Sequence, residues 1–329
     1  MTQRAVSEPT PVRLRAMISI DLDQPATRRW APLAQRAAHA RALLDVYEKD
    51  LGATVQPLLG TMLELARSVL PNDTFAELEG VANVIDAPLP RVVLGNLYYD
   101  VIKAGLGCST FAVDTPQGPL HARNLDWWTT GGLLRNETEL FDCRRAGRTH
   151  YQLVGWPGFI GAFSGVAPGR FAVTLNAVIS DDAARIAEPV VFLLRRVLDE
   201  VSSFDEASKV LGTAPIASDC LLLLSGVREG EFVVIERTPT RSALRRPTNG
   251  FIDVTNDYRL LDVAGAAHGA LAQTSCRRSE RLGEVLSVAK PSTTDDAFAL
   301  LSDERVKMSI TVQQMVFCAA TGRCDVRLP

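Results

Sequence analysis

The chain has 329 residues, of which 47% are hydrophobic and 22% are charged, a balance that excludes a disordered or collagen-like chain. It carries 35 basic and 38 acidic residues, a net charge of −3, and no dense basic run, so we expect no nucleic-acid partner. No apolar run approaches the roughly 18 residues that a membrane-spanning helix needs. The length fits one large domain or two ordinary ones.

The first hundred residues predict one strand followed by helices. Residues 12–20 alternate apolar and polar side chains, which is the period of a half-buried strand. Helical patterns follow at 26–50, 55–69, 75–86 and in a segment that begins at Pro88. Gly105 and Gly107 end the last helix, so we predict a helical N-terminal segment over residues 1–107.

After Gly107 the pattern changes to strands and tight turns. Strands are predicted at 109–113, 120–127, 139–144, 151–154, 170–178, 221–226, 232–237, 310–318 and 324–328. Helices are predicted at 189–201, 204–211, 277–289 and 295–301. Residues 108–329 therefore form a second segment of mixed helices and strands, which is an α+β pattern.

Cysteines and histidines give weak signals by themselves. The six cysteines are too few for a disulfide scaffold, and Cys318 and Cys324 could meet across a hairpin turn, although a reduced pair is favoured. The four histidines are scattered, so we expect no metal site and no other cofactor. The polar residues 1–11 lack the apolar core of a secretory signal, which favours the cytoplasm, although a start that removed a signal would look the same.

The most specific pattern in the chain begins at Gly107. Cys108-Ser109-Thr110 precedes an Asp…Gly turn and then His-Ala-Arg-Asn-Leu-Asp at 121–126. This order resembles the start of the mature subunit in the family of acid ceramidase and the N-acylethanolamine acid amidases. That family has a Cys-Thr-Ser strand, the same turn and a His-Gly-Arg-Asn-(Leu/Met)-Asp strand. It belongs to the cysteine N-terminal nucleophile hydrolases, together with bile salt hydrolases and penicillin V acylases.

The resemblance extends over most of the chain. Further similar segments lie at 18–23, 29–30, 79–89, 158–165, 174–176, 254–258 and 277–278. One position departs from the family pattern, because Ala177 follows Asn176 where the family has a glutamate. The loss of that acidic partner could change the accepted amine or slow self-cleavage, or it could be neutral if Asn176 serves the oxyanion.

The resemblance implies an αββα sandwich, with two antiparallel sheets layered between helices and a helical N-terminal segment that stays bound as one half of a heterodimer. It also implies that the chain cuts its own Gly107–Cys108 bond, which places Cys108 at a new N-terminus. A free α-amine has an ordinary pKa of about 7.7–8.0, close to the value of about 8.5 for a thiol. The amine can therefore take the thiol proton without a histidine.

The resemblance assigns five candidate catalytic residues: Cys108, Arg123, Asp126, Asn256 and Arg277. Cys108 is the nucleophile for both self-cleavage and acyl transfer, and Gly107 before it leaves the attacked carbonyl open. Asp126 accepts a hydrogen bond from the freed amine, and Arg123 stabilises the thiolate and orients the amine. The remaining two act on the oxyanion, through the side-chain amide of Asn256, and on the electrostatics of the site.

Geometry and alternatives qualify these assignments. Residues 123 and 126 have odd spacing on a strand and face opposite sides, so a bend or bulge at Asn124 is expected if both serve the site. The alternatives are a surface ion pair for Arg123 and Asp126 and a turn residue for Asn256. Candidate substrate-binding residues are Asn176 and an apolar acyl pocket of Trp127, Trp128, Trp156 and Phe159, for which core packing is the alternative.

We therefore predict a self-processing cysteine amidase that hydrolyses a small N-acyl amide, of the N-acylethanolamine or ceramide type, through a thioester on Cys108. One alternative is an acyltransferase, or an amidase of peptide-like or amino-acyl metabolites, with the same site. Another is an uncleaved, non-catalytic lipid-binding protein. Helices of residues 26–105 could touch a membrane transiently, but packing against the catalytic segment is favoured.

Overall fold

The computed structural model describes residues 16–101, 106–263 and 270–329. The helices are α1 Ala37–Leu51, α2 Leu59–Val69, α3 Asn72–Ile85, α4 Leu89–Val101, α5 Leu133–Asn136, α6 Val190–Glu200, α7 Phe204–Thr213, α8 Ala270–Val288 and α9 Thr294–Leu301. The strands are β1 Ile18–Asp21, β2 Leu106–Val113, β3 Leu120–Trp127, β4 Glu139–Arg145, β5 Arg148–Gly155, β6 Ser164–Ala167, β7 Phe171–Asn176, β8 Cys220–Ser225, β9 Phe232–Arg237, β10 Ser242–Arg245, β11 Phe251–Val254, β12 Thr311–Cys318 and β13 Arg323–Arg327.

These strands form two sheets that face each other. One sheet has eight strands in the order β1-β4-β5-β6-β7-β8-β9-β10, and the other has five in the order β11-β2-β3-β12-β13. Helices α6 and α7 pack on the larger sheet, and α8 and α9 pack on the smaller one. The predicted αββα sandwich is confirmed.

Side-chain alternation explains why both sheets are buried on both faces. In β8, Leu221 and Leu223 belong to an apolar cluster between the sheets, whereas Leu222 and Leu224 belong to the cluster that contains α6 and α7. In β2, Phe111 lies in the cluster with α8 and α9. Strands such as β2 and β8, which are buried throughout, thus contribute to two hydrophobic layers, as sheets covered on both sides do.

The N-terminal segment contributes directly to the larger sheet. Strand β1 pairs in parallel with β4, with Ile18 opposite Phe141. The expectation that both sheets are purely antiparallel is therefore wrong at this edge. A buried carboxylate reinforces the contact, since Glu77 of α3 accepts hydrogen bonds from Trp30 Nε1 at 2.7 Å and Arg29 Nη1 at 2.7 Å and pairs with Arg195 of α6 at 2.5 Å.

Several predicted boundaries differ from the structure. The helix expected at 26–50 consists of the 3₁₀ turns Ala26–Arg28 and Ala31–Arg36 before α1, and the helix expected at 55–69 opens with the 3₁₀ segment Ala53–Leu58. Proline explains both delays, because Pro32 and Pro57 lack the N–H that an α-helix interior requires. Strands β6, β10 and β11 and helix α5 were not predicted. Predictions for residues 12–15 and Gly105 lie outside the described residues.

The close approach of Gly80 to the backbone of Thr27 fixes how α3 packs against the 3₁₀ turn Ala26–Arg28. A Cβ on Gly80 would lie 2.4 Å from the backbone oxygen of Thr27. Only glycine fits there, so the Gly80 of the sequence pattern has a packing reason. None of the helices in the described ranges is long and apolar enough to cross a membrane.

Candidate active site

Cys108 is the third residue of β2, and its side chain lies between the two sheets with 1% of its surface exposed. Its Sγ accepts a hydrogen bond from Arg123 Nη2 at 3.2 Å. The same sulfur lies 3.8 Å from the backbone oxygen of Leu175, the acceptor for its thiol hydrogen. The thiol is thus held by the neighbouring strand and by the facing sheet.

Arg123 joins the two sheets at this point. Its Nη1 donates to the backbone oxygen of Phe163 at 2.5 Å and to Oγ of Ser164 at 2.8 Å, and its Nη2 also donates to Leu175. Within the described ranges no carboxylate pairs with Arg123, so the ion pair with Asp126 considered as an alternative is not formed. A buried guanidinium held by neutral acceptors leaves its positive charge directed at the thiol.

Asn256 holds the backbone nitrogen of Cys108. Its Oδ1 accepts the N–H of Cys108 at 3.0 Å and Nη2 of Arg278 at 2.8 Å, while its Nδ2 donates to the backbone oxygen of Ala177 at 2.8 Å. Two donors on one side and a carbonyl on the other fix the orientation of this amide. In the uncut chain the Asn256 amide is therefore bound to Ala177, and its oxygen faces the nitrogen that cleavage would free.

Arg278, and not the predicted Arg277, makes the arginine contact with the main chain of Cys108. Arg278 is 3% exposed, and its Nη1 donates to the backbone oxygen of Cys108 and to Oγ of Ser109 at 2.8 Å. Arg277 lies on the exposed side of α8. Consecutive residues on a helix point about 100° apart, so only one of the pair can face the sheet. Burial lowers the pKa of Arg278, and the Asp126 carboxylate acts in the opposite direction.

Asp126 lies beside the bond that is expected to be cut. It pairs with Gly107 across the ladder, and a Cβ on Gly107 would be 3.3 Å from Asp126 Oδ2. Oδ1 accepts from Thr311 Oγ1 at 2.5 Å, and Oδ2 is 3.9 Å from Nη1 of Arg278 and has no hydrogen-bond partner among the described residues. Burial raises the pKa of this carboxyl, although Arg278, Thr311 and Arg123 oppose the effect. A buried acceptor of this kind is suited to a new cation at Cys108.

The predicted bend in β3 is not observed. The pairing of β2 with β3 is regular from Leu106 opposite Trp127 to Val113 opposite Leu120. Arg123 and Asp126 instead reach the Gly107–Cys108 bond from opposite faces of the sheet. Asn124 points to the helical layer, where its amide donates to the backbone oxygen of Leu301 at 2.7 Å. The one irregularity in the pairing of β3 lies on its partner β12, between Thr311 and Gln313.

Two cavities share residues 307–309 as a wall, and Met308 of this wall approaches Gly107. One, of about 680 Å³, is lined by Trp127, Trp128 and Ile310. The other, of about 430 Å³, is lined by charged side chains that include Arg278. Met308 belongs to both, and its Sδ would be 3.1 Å from a Cβ on Gly107. A Cβ at position 107 would therefore require Met308 or Asp126 to shift by a few tenths of an ångström.

Known proteins share this arrangement of strands. A family model described as acyl-coenzyme A:6-aminopenicillanic acid acyl-transferase matches residues 113–315, which is more than half of the chain. The chain belongs to this acyl-transferase family. Curated relatives agree with the resemblance stated from the sequence, which is confirmed. Acid ceramidase of Balaenoptera acutorostrata scammoni is 27% identical over 255 residues, which are 68% of this chain and 64% of that protein.

A second relative is the N-acylethanolamine-hydrolyzing acid amidase of Caenorhabditis elegans, 26% identical over 247 residues that make up 70% of this chain and 69% of the relative. The solved structure of a Caenorhabditis elegans ortholog of that amidase superposes with a TM-score of 0.57 at 20% identity and covers 68% of this chain and 100% of that chain. The likeness shows a shared fold. The chain spans less than two thirds of the length of the acid ceramidase that it matches.

Within this member of the acyl-transferase family, Asn176 is not free for a substrate. Its Nδ2 donates to the backbone oxygens of Val254 at 3.0 Å and Thr255 at 2.9 Å, and its Oδ1 accepts from Thr110 at 2.9 Å. All of its polar atoms are bound in the core, so it supports the loop that carries Asn256. The expected role of Asn176 at the oxyanion would require this network to open.

The aromatic residues divide into two groups. Trp127, Trp156 and Phe159 are buried and lie with Phe163 in a cluster of ring contacts. Trp128 is 59% exposed and lines the larger cavity. Core packing thus accounts for Trp156 and Phe159, whereas Trp127 and Trp128 both border an apolar space beside the site.

Arg278, Met308 and Thr311 are residues of this site that the sequence did not identify. A periodic signal for Arg278 exists, because Leu282 and Leu286 follow it at four and eight residues on one helical stripe, and both are fully buried. Met308 and Thr311 have no such signal, since Met308 lies in the connection before β12 and Thr311 is the first residue of that strand. Among the described residues no group of histidine, cysteine and carboxylate side chains could hold a metal ion.

Proposed function

We propose that the protein is a self-processing cysteine amidase that hydrolyses an N-acyl amide of a fatty acid, with Cys108 as its nucleophile. The observation that carries the proposal is the environment of Cys108. Its sulfur faces the Arg123 guanidinium, and its backbone nitrogen is bound by the Asn256 side chain rather than by a strand. The names of the relatives, a ceramidase and an N-acylethanolamine amidase, support the fatty-acyl class of substrate.

Self-cleavage would begin with attack of Sγ of Cys108 on the carbonyl carbon of Gly107. The thiol proton passes to the peptide nitrogen, the C–N bond breaks, and a thioester to Gly107 forms. Water then hydrolyses that thioester, which leaves a carboxylate on Gly107 and the free thiol and α-amine on Cys108. The neighbouring Asp126 carboxylate and the Oδ1 of Asn256 are placed to receive the new amine.

Turnover would use the same atoms. The α-amine takes the thiol proton, and the thiolate attacks the carbonyl carbon of the substrate amide. As the tetrahedral intermediate collapses, the ammonium gives its proton to the leaving nitrogen, and the acyl group stays on sulfur. Water releases the fatty acid and restores the thiol. Arg123 stabilises the thiolate, while Arg278 and Asn256 hold the main chain of Cys108 in place.

Both fragments would remain together after cleavage. Strand β1 of the N-terminal segment is an integral strand of the larger sheet, and Glu77 joins α3 to Arg195 of α6. Burial favours the protonated form of Glu77, but its arginine and tryptophan partners outweigh this and lower its pKa. Removal of one partner from a buried ion pair costs roughly 3–5 kcal/mol, so this contact is a strong tie between the fragments.

Mass spectrometry of purified protein tests the proposal. We expect a fragment that begins at Cys108, and we expect Cys108→Ala to abolish both the fragment and the hydrolysis of labelled fatty-acyl amides. Cys324→Ala, at a half-buried position on β13, is the matched control and should process and turn over normally. An intact chain that binds lipid tightly without Cys108-dependent hydrolysis would contradict the proposal and favour a non-catalytic lipid-binding protein.

Acyl transfer is a second candidate function, because the matching family model is described as an acyl-transferase. The Cys108 thioester would then be attacked by an amine in place of water. Assays with and without added amine acceptors separate the two outcomes. An amide product formed faster than free acid would assign the protein to acyl transfer.

A further inference from the structure

The smaller of the two cavities that share residues 307–309 has a basic wall. Four cationic side chains line it, Arg277, Arg278, Arg305 and Lys307, against the single carboxylate of Glu304. The lining of the larger cavity includes four apolar side chains and two cations: Trp127, Trp128, Ile310, Val312, Arg135 and Lys307. The site therefore offers two adjacent spaces of different chemistry, separated by residues 307–309.

Not all of the cations in this wall are already neutralised. Arg305 pairs with Glu284 at 2.9 Å, and Arg278 faces Asp126 at 3.9 Å. Arg277 and Lys307 have no ion-pair partner in the part of the chain that the structure describes, and neither has Glu304. If Glu304 offsets one of these two exposed cations, one positive charge still remains for a ligand.

Proton transfer decides which half of the substrate lies in the basic cavity. The ammonium of Cys108 must reach the leaving nitrogen, so the amine half of the substrate has to lie on the side of the Cys108 nitrogen. That side holds Asp126 and Arg278, and Arg278 is also part of the wall of the basic cavity. The acyl chain is then directed to the space beside the tryptophans.

From this placement we infer that the amine half of the natural substrate carries a carboxylate, so that the substrate is an N-acyl amino acid rather than an amide of a neutral amino alcohol. The inference rests on the proposed function and names its substrate class. A carboxylate in the cavity would accept charge-assisted hydrogen bonds from Arg277 and Lys307. A neutral ethanolamine in the same space would leave those cations without a partner.

A matched pair of substrates tests the inference on the self-processed full chain. N-lauroylglycine and N-lauroylethanolamine share one acyl chain and differ in the carboxylate. We expect kcat/KM to be at least about tenfold higher for the glycine amide, as one charge-assisted contact provides. The ratio of kcat/KM for the glycine amide to that for the ethanolamine amide should fall as salt is added, because salt screens the charge of exposed cations.

Three variants show which residues of the basic cavity produce the preference for the glycine amide. Arg277→Gln and Lys307→Gln should each lower the glycine-to-ethanolamine ratio several-fold, and Glu304→Gln should raise it because the opposing carboxylate is lost. Arg148→Gln, at an exposed arginine at the start of β5, is the matched control and should leave the ratio unchanged.

Each result has one meaning. Cys108-dependent hydrolysis with an equal or inverted ratio, unchanged in all three variants, would overturn the carboxylate and leave the proposed function intact. Failure to cleave at Cys108, with no hydrolysis of either amide, would overturn the proposed function and the inference with it.

Discussion

The N–H of Cys108 donates to Oδ1 of Asn256 at 3.0 Å, beyond the point where backbone pairing between β2 and β11 ends at Thr110 and Val254. A side chain therefore continues the ladder at the residue whose nitrogen becomes a free amine in the proposed self-cleavage. Had a strand held this nitrogen, cleavage would have required a backbone hydrogen bond to break. With Asn256 in that place, the acceptor for the new amine is present before the bond is cut.

Replacement of Asn256 should therefore impair both reactions. In Asn256→Ala the nitrogen of Cys108 and Nη2 of Arg278 lose their shared acceptor, and we expect cleavage and turnover to fall roughly tenfold to a hundredfold, as for a lost hydrogen bond to a charged group. Asn256→Asp keeps an acceptor oxygen and should retain more cleavage than the alanine variant. The rates come from mass spectrometry of fragments over time. Equal rates in the alanine variant and the wild type would contradict this role.

Gly107→Ala should slow self-cleavage. The added Cβ would lie 3.1 Å from Cβ of Asp126 and 3.1 Å from Sδ of Met308, which is closer than ordinary packing allows. Overpacking of this kind costs about 1–3 kcal/mol. If the compact geometry for attack on the Gly107 carbonyl carries this cost, the barrier to cleavage rises, and we expect the Cys108 fragment to appear about tenfold more slowly.

Two further variants check the cause. Met308→Ala in the Gly107→Ala background should restore part of the rate, because the flexible side chain is one of the two obstacles. Gly283→Ala in α8 has open space around its new methyl group and should cleave at the normal rate. A Gly107→Ala chain that cleaves like the wild type would show that this space does not limit the reaction.

Much of the fold follows from local patterns. Strand β3 occupies the predicted residues 120–127, because a full-length strand shows its period clearly. Strands β6, β10 and β11 have 4 residues each, too few for a period to emerge. The parallel pairing of β1 with β4 joins residues more than a hundred positions apart, and local sequence contains no information about that partner.

The site was predictable where the motif lies on paired strands. Cys108, Arg123 and Asp126 meet because β2 and β3 are neighbours in one hairpin. Arg278, rather than the predicted Arg277, contacts Cys108, because it lies on the buried stripe of α8 that Leu282 and Leu286 mark. The orientation of the Asn256 amide depends on the carbonyl of Ala177, a tertiary contact that no sequence pattern specifies.

Gly80→Ala should destabilise the folded protein. Its Cβ would meet the backbone oxygen of Thr27 at 2.4 Å, and backbone cannot move aside as a flexible side chain can. We expect a loss of about 1–3 kcal/mol in the free energy of unfolding, measured by urea denaturation. Gly60→Ala is the matched control in α2, where nothing lies within 4 Å, and it should stabilise the protein by about 0.5–1 kcal/mol. Equal midpoints for the two variants would refute the packing argument.

His121 should make stability depend on pH. Its ring nitrogens lie 3.0 Å from Oγ of Ser225 and 2.9 Å from Oγ1 of Thr174 between the sheets. Burial, with a smaller contribution from Arg123, lowers the pKa of His121 from 6.5 to about 3. Between these values the unfolded chain binds a proton that the folded chain does not. The free energy of unfolding should therefore fall as pH drops below 6.5.

The contribution of His121 is separated from that of other titrating groups by comparing, between variants, the slope of the free energy of unfolding against pH. One proton is worth at most about 1.4 kcal/mol per pH unit, so wild type should lose stability faster than His121→Gln by up to this amount as pH decreases from neutral. His39→Gln, at a half-buried histidine that pairs with Glu137, controls for the loss of a histidine elsewhere. Urea denaturation at several pH values gives the slopes. Parallel slopes for His121→Gln and wild type would mean that the ring is protonated in the folded chain as readily as in the unfolded one, and that the sheets accommodate its charge.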